Sequence, residues 1–99
     1  MAKLRWLKSS RDDLKDIYNF IAADSKKYAS FQINKIRSRT NVLKNHPKAG
    51  KIVKEFQDDE IREIVSGHYR IFYRLISKDL IHIILVHHGA RKFPRKKKK

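Results

Sequence analysis

Apolar residues recur in two distinct periods along this chain, and the change of period falls near Gly50. Leu4-Arg5-Trp6-Leu7 is short and rich in large apolar groups, with Ser9-Ser10 behind it, which predicts an opening strand. Leu14, Ile17, Tyr18 and Ile21 follow at the i, i+3, i+4, i+7 spacing of one helical face, so a helix is expected over residues 10–23. Ser10 is placed to cap it, with Asp12 and Asp13 in the first turn, where the helix dipole favours negative charge. Asp24-Ser25 interrupts the pattern and can cap a second helix over residues 25–45, whose face carries Ala29, Ile33, Ile36 and Leu43. Asn45-His46-Pro47 ends it, because proline disfavours the α conformation in the residue before it.

Beyond Gly50 the period is extended. Strands are predicted over residues 51–56, 61–65, 69–76 and 80–87, joined by turns at Asp58-Asp59, Ser66-Gly67-His68 and Ser77-Lys78-Asp79. In the third of these, Tyr69, Ile71, Tyr73 and Leu75 point to one face, and Arg70, Phe72, Arg74 and Ile76 to the other. The order is one strand, two helices, then four strands with short connections. It predicts an α+β fold: a helical hairpin packed on one face of an antiparallel sheet, without parallel pairs. One domain over residues 1–94 accounts for the pattern, followed by a basic flexible tail at 95–99.

Charge changes the picture more than composition does. The chain of 99 residues carries a formal net charge of +15. Seven positive charges lie in Arg91, Lys92, Arg95 and Lys96 to Lys99, leaving +8 on residues 1–90, so the body is basic without its tail. Such a surface is drawn to nucleic acid, to a nucleoprotein enzyme or to an acidic protein. There is no cysteine, which excludes disulfides and thiolate metal sites. No apolar run reaches the roughly 18 residues of a membrane span, no secretory signal is visible and no glycine-rich phosphate loop or other recognised motif appears, so neither a membrane nor a cofactor is expected and the location predicted is cytoplasmic.

His82, His87 and His88 raise the question of a metal, but neighbours on a strand face opposite ways and no carboxylate partners them, so no metal site is predicted. The arginines are more telling. A three-residue loop at 66–68 would set Arg62 opposite Phe72 and gather Arg62, Arg70 and Phe72 on the face away from the helices, with Arg74 on the same strand and Arg91 beyond the last one. Guanidinium groups beside an aromatic ring can grip phosphates and stack on bases. A two-residue turn would reverse Arg62, and the alternative for the whole face is a set of ion pairs with Glu63 or Glu55.

Several landmarks, taken together and in order, resemble the RelE/ParE superfamily of toxins over nearly the full length. They are His46-Pro47-Lys48-Ala49-Gly50, Ile61-Arg62-Glu63, Gly67-His68-Tyr69-Arg70-Ile71-Phe72-Tyr73 and Val86-His87-His88-Gly89-Ala90-Arg91. The resemblance implies the toxin half of a type II toxin–antitoxin pair, with a cognate acidic antitoxin as partner. Its RelE-like branch cuts messenger RNA on the ribosome; its ParE-like branch inhibits DNA gyrase and is not a nuclease. The nuclease branch uses arginines that match Arg70 and Arg91. It also uses basic residues on the preceding strand, where this chain has Ile61 and Glu63, and a tyrosine or histidine near the C-terminus, where only Phe93, Pro94 and basic residues follow Arg91. Cleavage needs proton transfer as well as charge stabilisation, and arginine supplies only the latter, so His88 or His87 would have to be the acid or base. These departures favour the ParE-like branch. The alternatives are a ribosome-dependent endonuclease using Arg70, Arg91 and His88, and a non-toxic nucleic-acid-binding module.

Overall fold

A computed structural model of the chain describes residues 1–89. Strand β1 (Lys3–Trp6) leads into helix α1 (Lys8–Ala22) and helix α2 (Lys26–Arg39), and α2 runs on as a 3-10 turn at Thr40–Lys44. The chain then forms β2 (Lys51–Ile52), a second 3-10 turn at Lys54–Phe56, and strands β3 (Ile61–Ser66), β4 (Tyr69–Ser77) and β5 (Leu80–His88). The five strands make one sheet in the order β1-β5-β4-β3-β2. Strands β2 to β5 pair antiparallel, as the short turns require, whereas β1 pairs parallel with β5, from Lys3 beside Leu80 to Trp6 beside Ile83. The α+β architecture is as expected, but this edge makes the sheet mixed. The helical hairpin between β1 and the rest of the sheet supplies the crossover that a parallel pair needs.

The main core lies between the helices and the sheet. Leu14 and Ile36 from the helices, Leu43 from the 3-10 turn, and Ile71, Tyr73, Ile81 and Ile83 from the sheet are buried together. Ser25 caps α2 through a hydrogen bond from the Tyr28 N–H, as its position predicts. The start of α1 differs from expectation. Leu7 is the residue before the helix and makes no side-chain cap, because leucine has no side-chain acceptor; its own N–H donates to the Ile83 carbonyl, and the chain turns directly from strand to helix. Ser10 is therefore inside the helix, buried, and its hydroxyl donates to the Leu7 carbonyl. Asp12 and Asp13 fall beyond the first turn. Asp12 pairs at the surface with Lys8, whose hydrogen bond holds the carboxyl below its ordinary range.

Asp13 instead bridges α1 to the sheet by accepting the Val86 N–H at 2.9 Å. Burial raises its pKa, against the lowering effect of that hydrogen bond. A carboxyl easier to protonate in the fold than in the unfolded chain adds stability when protonated, and that contribution is lost as pH rises through its raised pKa. Asp13→Asn keeps an oxygen acceptor for Val86 without the charge. The variant should therefore gain on the wild type between about pH 3 and pH 7, as read by urea unfolding at both. A difference independent of pH would mean that the carboxylate is not desolvated.

The predicted strand at 51–56 is two residues long. Its apolar residues Ile52, Val53 and Phe56 do not alternate, and after Ile52 the chain leaves the edge of the sheet and crosses its outer face. Val53 is fully buried there with Ile61 and Phe72, and Phe56, Ile84 and Leu85 pack around them. The strap ends at Gln57 in the left-handed region, with φ of 48°. The sheet thus carries a second, smaller core on the face away from the helices.

Candidate functional site

The β3–β4 turn decides which residues share the outer face. Ser66 pairs with Tyr69, so the loop is Gly67-His68 alone, with Gly67 at a φ of 59° that favours glycine. In this register Arg62 stands opposite Tyr73, and Glu63 opposite Phe72. The expected grouping of Arg62 with Arg70 and Phe72 is therefore wrong. Arg62 belongs to the helix side of the sheet, and Glu63 takes the place it was to fill.

Arg70 is at the centre of what the outer face does hold. Its Nε donates to Glu63 at 2.6 Å and its Nη2 to the other Glu63 oxygen at 3.0 Å, a two-point fork. Glu55, delivered by the strap, accepts from both Nη atoms at 3.4 Å. The guanidinium also lies 4.9 Å from the centre of the Phe72 ring. Only 24% of the Arg70 side chain and 17% of that of Glu63 remain exposed, so this is more than a surface ion pair. The Glu63 hydrogen bonds, followed by those of Glu55, hold the Arg70 proton even more firmly than usual. The Glu55 carboxyl is held below its ordinary range, first by its own backbone N–H and then by Arg70. Two carboxylates around one guanidinium leave one negative charge over.

This arrangement has a stability consequence. Arg70→Ala strips a half-buried Glu63 of its partner and should cost about 2 kcal/mol, less than the roughly 3–5 typical of a fully buried pair. Removing Glu63 as well should return part of that loss. Urea unfolding of the two single variants and the double variant measures the coupling, and strictly additive losses would show that the fork contributes nothing.

Phe72 has no exposed surface, and the Phe56 ring meets it edge-on at 5.7 Å between centroids. The ring is a core residue rather than a platform for a base. Arg74, 40% exposed, pairs with Asp58 at 3.1 Å. Arg91, with the tail at 95–99, lies outside the described residues. His87 is beside Arg70 across the β4–β5 pair and shares its face. His88 pairs with Tyr69 instead, on the opposite face, where it meets the Tyr69 ring at 5.1 Å and the His68 ring at 6.1 Å. The geometry separates His88 from Arg70. Among the described residues no three His, Asp or Glu side chains are grouped to hold a metal, and no helix is long and apolar enough to cross a membrane.

Sequence reasoning missed the two carbonyls around Arg62 and the hydroxyl of Tyr73. Tyr73 donates to the Pro47 carbonyl at 2.8 Å and accepts the Gly50 N–H at 2.9 Å, which fixes the loop after the helices onto the sheet. The Gly50 carbonyl in turn accepts from Arg62 at 2.9 Å. Pro47 and Gly50 marked the loop in the sequence, but nothing there pointed to its partners on the sheet.

A solved structure, "Chromosomal ParDE TA system from P. aeruginosa", superposes with a TM-score of 0.73 at 17% identity, covering 89% of this chain and 96% of that one. That likeness shows the fold. Among curated proteins, none matches the sequence significantly. The family model described as "ParE toxin of type II toxin-antitoxin system, parDE" matches residues 4–93, nearly the whole length. This chain belongs to the ParE toxin family of type II toxin–antitoxin systems.

Proposed function

We propose that this protein is a toxin that acts by binding rather than by cutting, that its target is DNA gyrase or a similar enzyme, and that an acidic antitoxin neutralises it. The family implies an antitoxin partner, and the charge of +8 on residues 1–90 suits an acidic one. The observation that carries the choice of binding over cutting is the Arg70 clamp. A nuclease needs this guanidinium turned to a phosphate, yet here Glu63 and Glu55 already occupy it and leave the cluster negative, which disfavours an approaching polyanion. The placing of His88 on the other face supports the same reading, since it removes one of the two candidate acids. Target contact then falls to Arg74 at the outer face and to Arg91 beyond β5.

Induced expression with parallel assays of gyrase supercoiling and transcript integrity tests this. Supercoiling should be blocked while transcripts stay whole. Ribosome-dependent cleavage that Arg70→Ala abolishes would overturn the reading in favour of the endonuclease. A protein that does neither would return the plain nucleic-acid-binding module. The product of a short acidic reading frame beside the gene should co-purify with the toxin, and no complex at micromolar concentration and low salt would remove the antitoxin from the proposal.

A further inference from the structure

Arg62 is a positive charge that no carboxylate among the described residues neutralises. Its Nη1 is held by neutral carbonyls, Gly50 at 2.9 Å and Lys48 at 3.5 Å, and its Nε is buried with no hydrogen-bond partner. A half-buried guanidinium of this kind is costly to keep, because desolvation is not repaid by an opposite charge. Holding the 47–50 loop does not require a charge, since a neutral donor can bond a carbonyl as well. Asp59 and Glu60 line the same cleft, yet neither reaches it.

Arg62 opens onto a cleft of about 1000 Å³ between the 47–50 loop and the far end of β4. Ile52 and Ile76, each 43% exposed, and Leu75 form its apolar wall. Lys48 and Lys78 also line it.

We propose that this cleft is a receptor for one carboxylate side chain of an acidic peptide segment, with Arg62 binding the carboxylate and the isoleucine wall taking its apolar neighbours. A guanidinium fork matches a carboxylate in two-point geometry and retains its charge throughout. Asp59 and Glu60 select against a dianionic phosphate, whose second charge they would repel, and they tolerate a single negative charge seated on Arg62. The apolar wall points the same way, because a phosphodiester backbone has nothing to bury there. The site lies on the opposite side of the sheet from the Arg70 clamp and is distinct from it. The partner's chemistry rests on the antitoxin reading, but the site itself does not.

The test is a titration of the isotope-labelled full chain with a soluble, end-blocked hexapeptide in which one glutamate is flanked by leucine and isoleucine. The buried Arg62 Nε–H gives its own resonance, which should shift saturably together with the Gly50 amide. The glutamine counterpart of the peptide should bind about tenfold more weakly or worse, as should Arg62→Gln with the glutamate peptide. Equal binding of the two peptides, peptide binding that leaves the Arg62 Nε–H unmoved, or no binding up to about 10 mM would overturn the proposal. So would a shift of that resonance by inorganic phosphate or a short DNA duplex at lower concentration than by the peptide. The wild-type resonance decides the matter even if Arg62→Gln does not fold. Failure of the acidic neighbouring product to bind the toxin would remove the antitoxin reading and leave this titration unaffected.

Discussion

Phe72→Ala should destabilise the protein by roughly 3–5 kcal/mol, the usual cost of emptying a buried aromatic site. As a ring on an open binding face, Phe72 could be removed with little effect on folding. In the structure it is fully buried, under Val53 and Phe56 and beside Ile61. Losing it opens a cavity beneath the strap, and the strap is what brings Glu55 to Arg70. For a domain of this size the change should lower the melting temperature by about 15–30 °C, measurable by circular dichroism. A loss below about 1 kcal/mol would show that the strap does not pack on the sheet.

Gly50→Ala should cost about 3 kcal/mol through crowding in a place that cannot relax cheaply. A Cβ there would come within 2.4 Å of the Glu63 carbonyl oxygen and 2.7 Å of the Tyr73 hydroxyl. The first is backbone of the adjoining strand, since Lys51 pairs with Glu63, and the second is pinned between Pro47 and Gly50 itself. Relief requires β2 to lift from β3 or Tyr73 to give up both hydrogen bonds. Tyr73→Phe is the companion measurement. It leaves the Gly50 N–H without its acceptor and should cost about 1–3 kcal/mol without any clash. Urea unfolding of both variants checks the order, and a Gly50→Ala variant as stable as wild type would mean that the loop approaches the sheet less closely than described.

Much of the fold was legible because it follows local rules. The shift from helical to alternating periodicity at Gly50, the Ser25 cap and the inward set Tyr69, Ile71 and Tyr73 each depend on neighbours in sequence. The site was less legible, because it depends on counts and on distant chain. Ser66-Gly67-His68 fits a two-residue or a three-residue loop equally well, and that single choice moves Arg62 from one face to the other. Glu55 reaches Arg70 only because the 53–56 segment leaves the sheet edge, which its unalternating Ile52, Val53 and Phe56 hint at but do not dictate. The parallel pairing of β1 and the early start of α1 depend on contacts with β5, at the far end of the sequence, such as Leu7 with Ile83.

That parallel edge has a bearing on when the fold can be completed during synthesis. Lys3 to Trp6 find their partners only in Leu80 to Ile83, so the sheet stays open until β5 has been synthesised. The helical hairpin can form early, but the face it covers has to wait for β4 and β5, and closing so long a loop is the slow kind of contact in folding. A ribosome making this chain therefore carries an incomplete fold for most of the message. The Arg70 clamp, which needs β3, β4 and the strap together, assembles only in that closing stage.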